Sequence, residues 1–154
     1  MTSVDFKKLI QEIVKLACEL KDKYTSEKDA PVNYAAIFSQ NDKEYDGFYK
    51  LAEQIGQIIQ HTPTGDLFAI EGLDTVAGEL HLLKVRQPEP NKPERGYADF
   101  TVSGYATFKK TYLPKTGFRL IQRQDHEMIE LIDPAFNART YFSNPPLGQL
   151  LGLR

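Results

Sequence analysis

The sequence predicts one α+β domain in which an N-terminal helix precedes two successive β-α-β-β(-β) modules that form a curved, mixed or antiparallel sheet. Two observations predict it. Apolar residues switch between helical and strand spacing in that order along the chain, and 154 residues, 41% of them hydrophobic, suit a single domain with its own core. The expected segments are residues 1–33 (helix and connector), 34–86 (first module), 87–96 (proline-rich link), 97–143 (second module) and 144–154 (apolar tail).

The N-terminal part carries the clearest helical pattern. Apolar residues recur at three- and four-residue steps across residues 5–23, and charged residues take the opposite side. Asp5 is placed to cap this helix or to complement its dipole. Residues 24–33 are polar and contain Ala30-Pro31, so a connector is expected there.

Capping and turn residues around short apolar runs predict the elements of the first module. Asn41 or Asp42 can cap its helix, and Gly72 and Gly78 mark the turns around its later strands. Its predicted elements are a strand over 34–39, a helix over 42–60 and strands over 67–70 and 79–86.

The second module repeats this plan with one more strand. Ser103 can cap its helix and Pro114 ends it. The link before it contains three prolines, so it is expected to run over the surface rather than pair in the sheet. The predicted elements are a strand over 97–102, a helix over 104–113 and strands over 118–123, 127–132 and 138–142.

Composition excludes several classes of protein. The formal net charge is −2, which argues against general nucleic-acid binding. Cys18 is the single cysteine, so neither an intramolecular disulfide nor a cysteine zinc site is expected. The phosphate-binding, dinucleotide-binding and nucleophile-elbow glycine motifs are absent. No signal peptide and no run near the ~18 apolar residues of a membrane span occurs, so we expect a cytoplasmic protein without a membrane partner.

The element order resembles that of the vicinal oxygen chelate, or glyoxalase-like, superfamily across residues 34–143. The sequence segments that carry the resemblance are Tyr97-Ala-Asp-Phe-Thr-Val102, His126-Glu-Met-Ile-Glu-Leu-Ile132 and Asp133-Pro-Ala-Phe-Asn-Ala-Arg-Thr-Tyr-Phe142. The resemblance implies paired modules that enclose a cavity, often with one divalent metal ion. The sequence departs from the family at its first strand, which has no His, Glu or Asp, and at position 99, which is Asp rather than His or Glu.

The resemblance implies His81, Asp99 and Glu130 as metal ligands, with Glu127 or His126 available for proton transfer. Each has a structural alternative. His81 shares a predicted strand face with apolar residues, where a hydrogen-bonded core histidine is the commoner outcome.

Two of these carboxylates have named alternative partners. Glu130 falls on an otherwise apolar strand face, so it must be paired, metal-bound or neutralised, and Arg119 or Arg123 are alternative partners. Asp99 can instead pair with Arg95 if the chain turns between them.

A second candidate site consists of basic residues near the link. Lys84, Arg86, Lys92 and Arg95 form a candidate clamp for a carboxylate or phosphate, or else ordinary solvated charges. Tyr97 belongs to an aromatic set that either lines a ligand cavity or fills the core. The residues predicted to bind a ligand are therefore Lys84, Arg86, Arg95 and Tyr97.

The apolar tail, residues 144–154, must pack on its own domain or on a second subunit, and with the N-terminal helix it indicates a homodimer. The predicted function is small-molecule binding of glyoxalase-like design, extending to a metal-dependent lyase, isomerase or dioxygenase. The alternative is a non-catalytic interaction or regulatory domain. A cavity with convergent polar groups favours the first, and a flat apolar patch the second.

Overall fold

The computed structural model describes residues 1–152 and contains two βαβββ modules preceded by a long helix. The two modules have the same element order, which confirms the predicted α+β class. The elements are α1 (Ser3–Tyr24), β1 (Val32–Phe38), α2 (Asp42–Ile55), β2 (Gly56–Thr62), β3 (Gly65–Thr75), β4 (Gly78–Arg86), β5 (Gly96–Phe100), α3 (Tyr105–Tyr112), β6 (Phe118–Gln122), β7 (Glu127–Leu131), β8 (Arg139–Asn144) and α4 (Leu147–Leu150).

All eight strands belong to one open, curved sheet in the order β2-β3-β4-β1-β5-β8-β7-β6. Within each module the first strand pairs in parallel with the last, β1 with β4 and β5 with β8. The two modules join through the antiparallel pairing of β1 with β5, in which Ala35 faces Ala98. Each strand in one module therefore has a counterpart in the other, and the two halves of the sheet form one continuous surface.

The predicted helix over 42–60 is too long. It ends at Ile55, and residues Gly56–Thr62 form strand β2 instead, so the first module has three strands after its helix rather than two. Gly56 accounts for the change because a side chain there would overlap the backbone of Ala69 on β3. Ile58 and Ile59, which the sequence pattern assigned to a helical face, are exposed on this edge strand.

The first helix is fixed at its start by a capping box. Thr2 Oγ1 accepts a hydrogen bond from Asp5 N at 3.1 Å, and Asp5 Oδ2 accepts one from Thr2 N at 3.0 Å. These two bonds satisfy backbone donors that a helix leaves free in its first turn. Asp5 thus stabilises the helix terminus as predicted, although Thr2 is the capping residue itself.

The strands divide their side chains between two faces, as a period of two residues requires. On β5, Ala98 and Phe100 point to the face covered by the helices, which we call the helix face. Tyr97 and Asp99 of the same strand point to the opposite, concave face. The buried apolar and aromatic cluster on the concave face consists of Tyr34, Ala36, Phe38, Leu67, Leu82, Tyr97, Met128 and Tyr141.

The helix face is closed by α1 and α2. Helix α1 contacts β1, β5 and β8 at the centre of the sheet, and its fully buried apolar residues each stabilise the fold by about 1.5–3 kcal/mol relative to exposure. These are Phe6, Ile10, Ile13, Val14 and Leu20, and Ala17 is also fully buried but contributes less because it buries one methyl group. No helix within residues 1–152 has the length and apolarity needed to cross a lipid bilayer.

The C-terminal tail folds back onto the concave face of its own chain. Helix α4 begins after Pro146, and Leu147 and Leu151 pack against the concave cluster. Gly148 N donates to Asn33 Oδ1 at 3.3 Å, which ties the helix to β1. Residues 153 and 154 of the predicted tail lie outside the described residues, and the homodimer stays a prediction.

The seam between the modules has no room for a side chain at Gly96. A methyl group there would overlap the carbonyl oxygen of Ala36 and lie 3.0 Å from Ile13 Cδ1. We expect Gly96→Ala to lower the free energy of unfolding by about 1–3 kcal/mol through overpacking, measured by urea unfolding.

The matched control is Gly47→Ala on the exposed side of α2, where the added methyl meets nothing within 4 Å. It should raise the free energy of unfolding by up to about 1 kcal/mol because alanine is the better helix former. If Gly96→Ala were as stable as the unsubstituted protein, the close packing of the β1–β5 seam would be contradicted.

Candidate functional site

A cavity of about 770 Å³ opens on the concave face and is bounded by both modules and by α4. We call it the concave pocket. Its basic lining residues are Lys84, Arg86, Lys92, Arg119 and Arg123. Its apolar side is formed by Leu67, Ile121, Met128, Leu147 and Leu151.

Three tyrosines form the base of the concave pocket. The rings of Tyr97 and Tyr141 are stacked with centroids 4.2 Å apart, and the hydroxyls of Tyr34 and Tyr97 are hydrogen bonded at 2.9 Å. All three side chains are buried. They give the pocket a rigid aromatic base whose polar atoms are already partly satisfied.

The concave pocket is positively charged within a chain whose net charge is −2. Its two acidic lining residues are already paired, Asp125 with His126 and Glu130 with arginines. Outside the pocket, Glu89 is shared between Arg86 and Lys92, with its Oε2 3.9 Å from Lys92 Nζ. Lys84 and Arg123 have no carboxylate within 4 Å among residues 1–152.

Arg86 is buried beside the aromatic base, with its residue only 7% exposed. Its guanidinium lies over the rings of Phe38 and Tyr97, 5.5 and 6.0 Å from their centroids. Nη2 donates to Glu89, whereas buried Nε finds no acceptor in the described part of the chain. A buried donor without a partner is costly, so this atom is a candidate contact for a bound acceptor.

Lys84 lies beside Arg86 on the concave side of β4, where Lys84 pairs with Leu67 of β3 and Ala36 of β1. Its Nζ donates to Thr64 Oγ1 at 3.2 Å. Burial, together with the smaller effects of the charges of Arg86 and Arg123, lowers the pKa of this amine to about 8, while Glu89 opposes the shift. Lys84 is thus easier to deprotonate than an ordinary lysine.

Glu130, the first predicted metal ligand, is buried and fully engaged. Oε2 accepts hydrogen bonds from Arg139 Nη1 at 3.1 Å and from Tyr141 OH at 2.7 Å. Oε1 lies 3.0 Å from Arg119 Nη2. The pairing with Arg119, one of the predicted alternatives, is therefore present, and Arg139 adds a second cation that Glu94 also holds, with Oε1 2.9 Å from Arg139 Nε.

Asp99, the second predicted ligand, is completely buried and held by neutral donors. Ser143 Oγ donates to Oδ1 at 2.6 Å and Asn33 Nδ2 donates to Oδ2 at 3.0 Å. Burial raises the pKa of Asp99 to about 7, although these hydrogen bonds oppose the shift. The suggested Arg95–Asp99 contact is wrong, because Arg95 pairs with Glu44 at 2.9 Å on the other side of β1.

His81, the third predicted ligand, lies outside the concave pocket. Its side chain is 57% exposed and its Nε2 lies 2.8 Å from Glu79 Oε1, so it is neither a core histidine nor close to the other two residues. Across residues 1–152, no three His, Cys, Asp or Glu side chains converge as a metal site would require. The predicted ligand set does not fit a divalent metal ion, which needs converging free donors.

The two residues suggested for proton transfer point to opposite faces of the sheet. His126 lies at the rim of the concave pocket, with Nδ1 2.7 Å from Asp125 Oδ1. Glu127 lies on the helix face, where it accepts from Lys109 Nζ at 2.8 Å and Tyr105 OH at 3.0 Å. The hydrogen bond from Lys109 holds the pKa of Glu127 below its usual range. Only His126 can reach a ligand in the pocket.

Of the predicted ligand-binding residues, Lys84, Arg86 and Tyr97 line the concave pocket and Arg95 does not. Sequence analysis named Arg119 and Arg123 only as alternative partners of Glu130, not as residues that line a pocket. Arg119 and Ile121 alternate along β6, Arg123 follows directly after the strand, and all three line the concave pocket. The two-residue spacing of these arginines could have indicated a longer basic lining.

No family model matches the chain, and no curated protein sequence matches it. Among solved structures, one described as "Structural Genomics, Protein EC4020" superposes with a TM-score of 0.73 at 10% identity, covering 96% of this chain and 90% of that one. At this identity the likeness concerns the fold alone.

Two other similar structures carry functional names. A glyoxalase/bleomycin resistance protein/dioxygenase superfamily member from Vibrio splendidus 12B01 gives a TM-score of 0.41 at 7% identity, covering 74% of this chain and 97% of that one. A lactoylglutathione lyase from Agrobacterium tumefaciens gives a TM-score of 0.29 at 13% identity, covering 77% of this chain and 94% of that one.

The topology confirms the predicted architecture of two successive modules that form one curved sheet around a cavity. Each module is a βαβββ unit, and the two are joined by the antiparallel pairing of β1 with β5.

Asp99 predicts a pH-dependent stability. Its folded-state pKa of about 7 lies above its ordinary value of 3.8, so the folded protein holds a proton that the unfolded chain releases. The stability contribution is fully present below about pH 4 and is lost as the pH rises to about 7. We expect Asp99→Asn to remove this decline, measured by urea unfolding at several values between pH 5 and pH 8.

Asp133→Asn is the control. The hydrogen bond that Asp133 accepts from Tyr24 lowers the pKa of Asp133, so this carboxylate affects the free energy of unfolding only at acidic pH. If the free energy of unfolding of Asp99→Asn fell between pH 5 and pH 7 as much as that of the unsubstituted protein, the fall would not come from Asp99. Asp99 would then be ionised in the folded protein across this range.

Proposed function

We propose that this protein binds a small organic anion, a carboxylate or phosphate attached to an apolar or aromatic group, in the concave pocket. The single observation that carries the proposal is the buried Arg86 guanidinium, which faces the pocket with Nε unpartnered in the described chain. An anionic oxygen on Nε would form a charge-assisted hydrogen bond, the stronger class of such bonds. Arginine suits both carboxylate and phosphate geometry.

The composition of the concave pocket supports an organic rather than an inorganic anion. Lys84, Arg86 and Arg123 supply positive charge, while Leu67 and Met128 belong to its apolar side. A volume of about 770 Å³ lies within the range of roughly 300–1,000 Å³ typical of small-molecule sites. An inorganic phosphate would leave most of this apolar surface without a contact.

The ligand contacts in this proposal are Lys84 and Arg86 for the anionic group, Tyr97 at the base, and His126 at the rim. The metal-dependent lyase, isomerase and dioxygenase activities are not part of it. His81, Asp99 and Glu130 are separated or already held by other side chains, so no step is assigned to a metal ion on them.

A non-catalytic protein-interaction domain was the alternative function. Its expected docking elements were α1 and the apolar tail, but α1 buries its apolar side against the sheet and Leu147 and Leu151 pack on the concave cluster. Most of the apolar side of α1, together with Leu147 and Leu151, is thus occupied within the chain, and the cavity with convergent polar groups favours a small molecule.

The proposal predicts that charge decides which compounds bind. Phenylacetate and phenyl phosphate should bind in calorimetric titrations, whereas the neutral analogues phenylacetamide and phenol should bind at least tenfold more weakly. Arg86→Gln should weaken binding of the anions at least tenfold, because a hydrogen bond to a charged group is worth about 1.5–3 kcal/mol. Arg123→Gln, at an exposed rim position, should weaken it several-fold and keep the fold intact.

Lys50→Gln provides the matched control, since it removes one exposed positive charge from α2 on the helix face. It should leave the dissociation constants unchanged. Equal binding of anions and neutral analogues, or no binding of either anion, would contradict the proposal.

A further inference from the structure

We propose that Lys84 is a nucleophilic amine that forms a Schiff base with a carbonyl-bearing anion in the concave pocket. The ligand class is then narrowed to oxo acids and aldehyde or ketone phosphates. This inference rests on the proposed anion binding and adds to it a covalent step at one named atom.

The first support is where Lys84 lies. It occupies the concave side of β4, between its pairing partners Ala36 on β1 and Leu67 on β3. Interior strands hold a side chain more firmly than a loop, and Nζ reaches the lining of the pocket. A nucleophile must be both fixed and accessible to its substrate, and Lys84 meets both conditions.

The second support is what surrounds the amine. Within residues 1–152 its hydrogen-bond partner is the neutral hydroxyl of Thr64 at 3.2 Å, and no carboxylate lies within salt-bridge distance. Glu89, the nearest acid that acts on it, is already paired with Arg86 and Lys92. No carboxylate therefore contacts the Lys84 ammonium, and Glu89 acts on it only through its charge. A buried lysine with a purely structural role would be paired directly.

The third support is electrostatic. Arg86 and Arg123 both disfavour a further positive charge beside them, and burial disfavours it more strongly, so the pKa of Lys84 falls to about 8. About a tenth of the amine is then neutral at pH 7, compared with far less for an ordinary lysine of pKa near 10.4. Desolvation and a neighbouring cation are the two general means of activating a lysine.

Arg86 would place the carbonyl group next to this amine. Lys84 and Arg86 are two residues apart on one strand, so their Cα atoms are about 6.6 Å apart and their side chains leave on the same face. A carboxylate bound to Arg86 would hold an adjacent keto carbon on the Lys84 side. Such orientation by a bound anionic group lowers the entropic barrier to addition.

The chemistry balances without a further reactant. The neutral amine adds to the carbonyl carbon, a C–N bond forms, and the carbonyl oxygen takes up the proton lost by nitrogen to give a carbinolamine. Loss of the hydroxyl group and the remaining N–H proton as water leaves the imine. No electrons are gained or lost overall.

The test traps the imine with borohydride, which reduces it to a stable secondary amine. The full-length protein is incubated with phenylpyruvate or with pyridoxal 5′-phosphate, reduced, and examined by intact mass and peptide mapping. We expect one adduct per chain, on the peptide containing Lys84, formed at least tenfold faster than on any other lysine. Phenylacetate, which carries no carbonyl group, should give no adduct and should slow the reaction by competition.

Lys84→Arg keeps the positive charge but removes the nucleophile. It should lose the adduct at position 84, and Lys50→Arg should label like the unsubstituted protein. Circular dichroism checks that each variant is folded. Because peptide mapping of the unsubstituted protein needs no variant, the inference stays testable if Lys84→Arg fails to fold.

The possible outcomes separate the two proposals. If phenylacetate binds in the concave pocket but phenylpyruvate gives no adduct on Lys84, the Schiff-base inference is wrong and anion binding stands. If labelling spreads evenly over exposed lysines, the inference is equally wrong. If no anion binds at all, the proposed function and this inference fall together.

Discussion

The antiparallel pairing of β1 with β5 is the constraint on which the rest of the structure depends. Through it, two modules become one sheet with two continuous faces. Because side chains alternate along each strand, residues of both modules meet on the concave face. Tyr34 from the first module thus bonds to Tyr97 of the second, and Lys84 and Glu130, from opposite halves, line the same cavity.

The concave face contains buried charges of two kinds. Arg139 pairs with both Glu130 and Glu94, and Asp99, whose pKa burial raises, accepts hydrogen bonds from Ser143 and Asn33. These groups have structural partners. In residues 1–152, Lys84 has a neutral hydroxyl but no carboxylate as a partner, and the Nε atom of Arg86 has no acceptor although its Nη2 pairs with Glu89. Burying a cation without a carboxylate, or a donor without an acceptor, destabilises a fold, so a bound anion explains the arrangement better than stability does.

Strand alternation was the most informative part of the sequence. It placed Glu130 on an otherwise apolar strand face, where its charge needs a partner, and the structure pairs Glu130 with Arg119 and Arg139. The paired modules followed from element order alone. Arg95 and Asp99 could also have been separated on geometry, because residues four apart in an extended strand lie about 13 Å apart.

Other features depend on pairings that the sequence pattern does not contain. The ladder between β3 and β4 shifts register between Ala69 and Leu73. Past this irregularity Leu80 enters the core and His81 is left exposed, although a regular strand would have placed His81 with Leu83.

Two further differences arise from contacts between distant parts of the chain. The apolar residues Ile58 and Ile59 suit helical and strand spacing equally in so short a run. They form a strand because β3 is available to pair with this segment. The pairing of Arg139 with Glu94 joins residues 45 positions apart and could not be derived from local spacing.

The most direct test of the account is an amide-resolved NMR titration of the protein with phenylacetate. Anion binding in the concave pocket predicts chemical-shift changes concentrated at the concave residues of β4, β6 and β7 and at Tyr97, with α1 and α2 unaffected. Changes confined to the helices or to the exposed edge strand β2, or no saturable change at millimolar ligand, would contradict it.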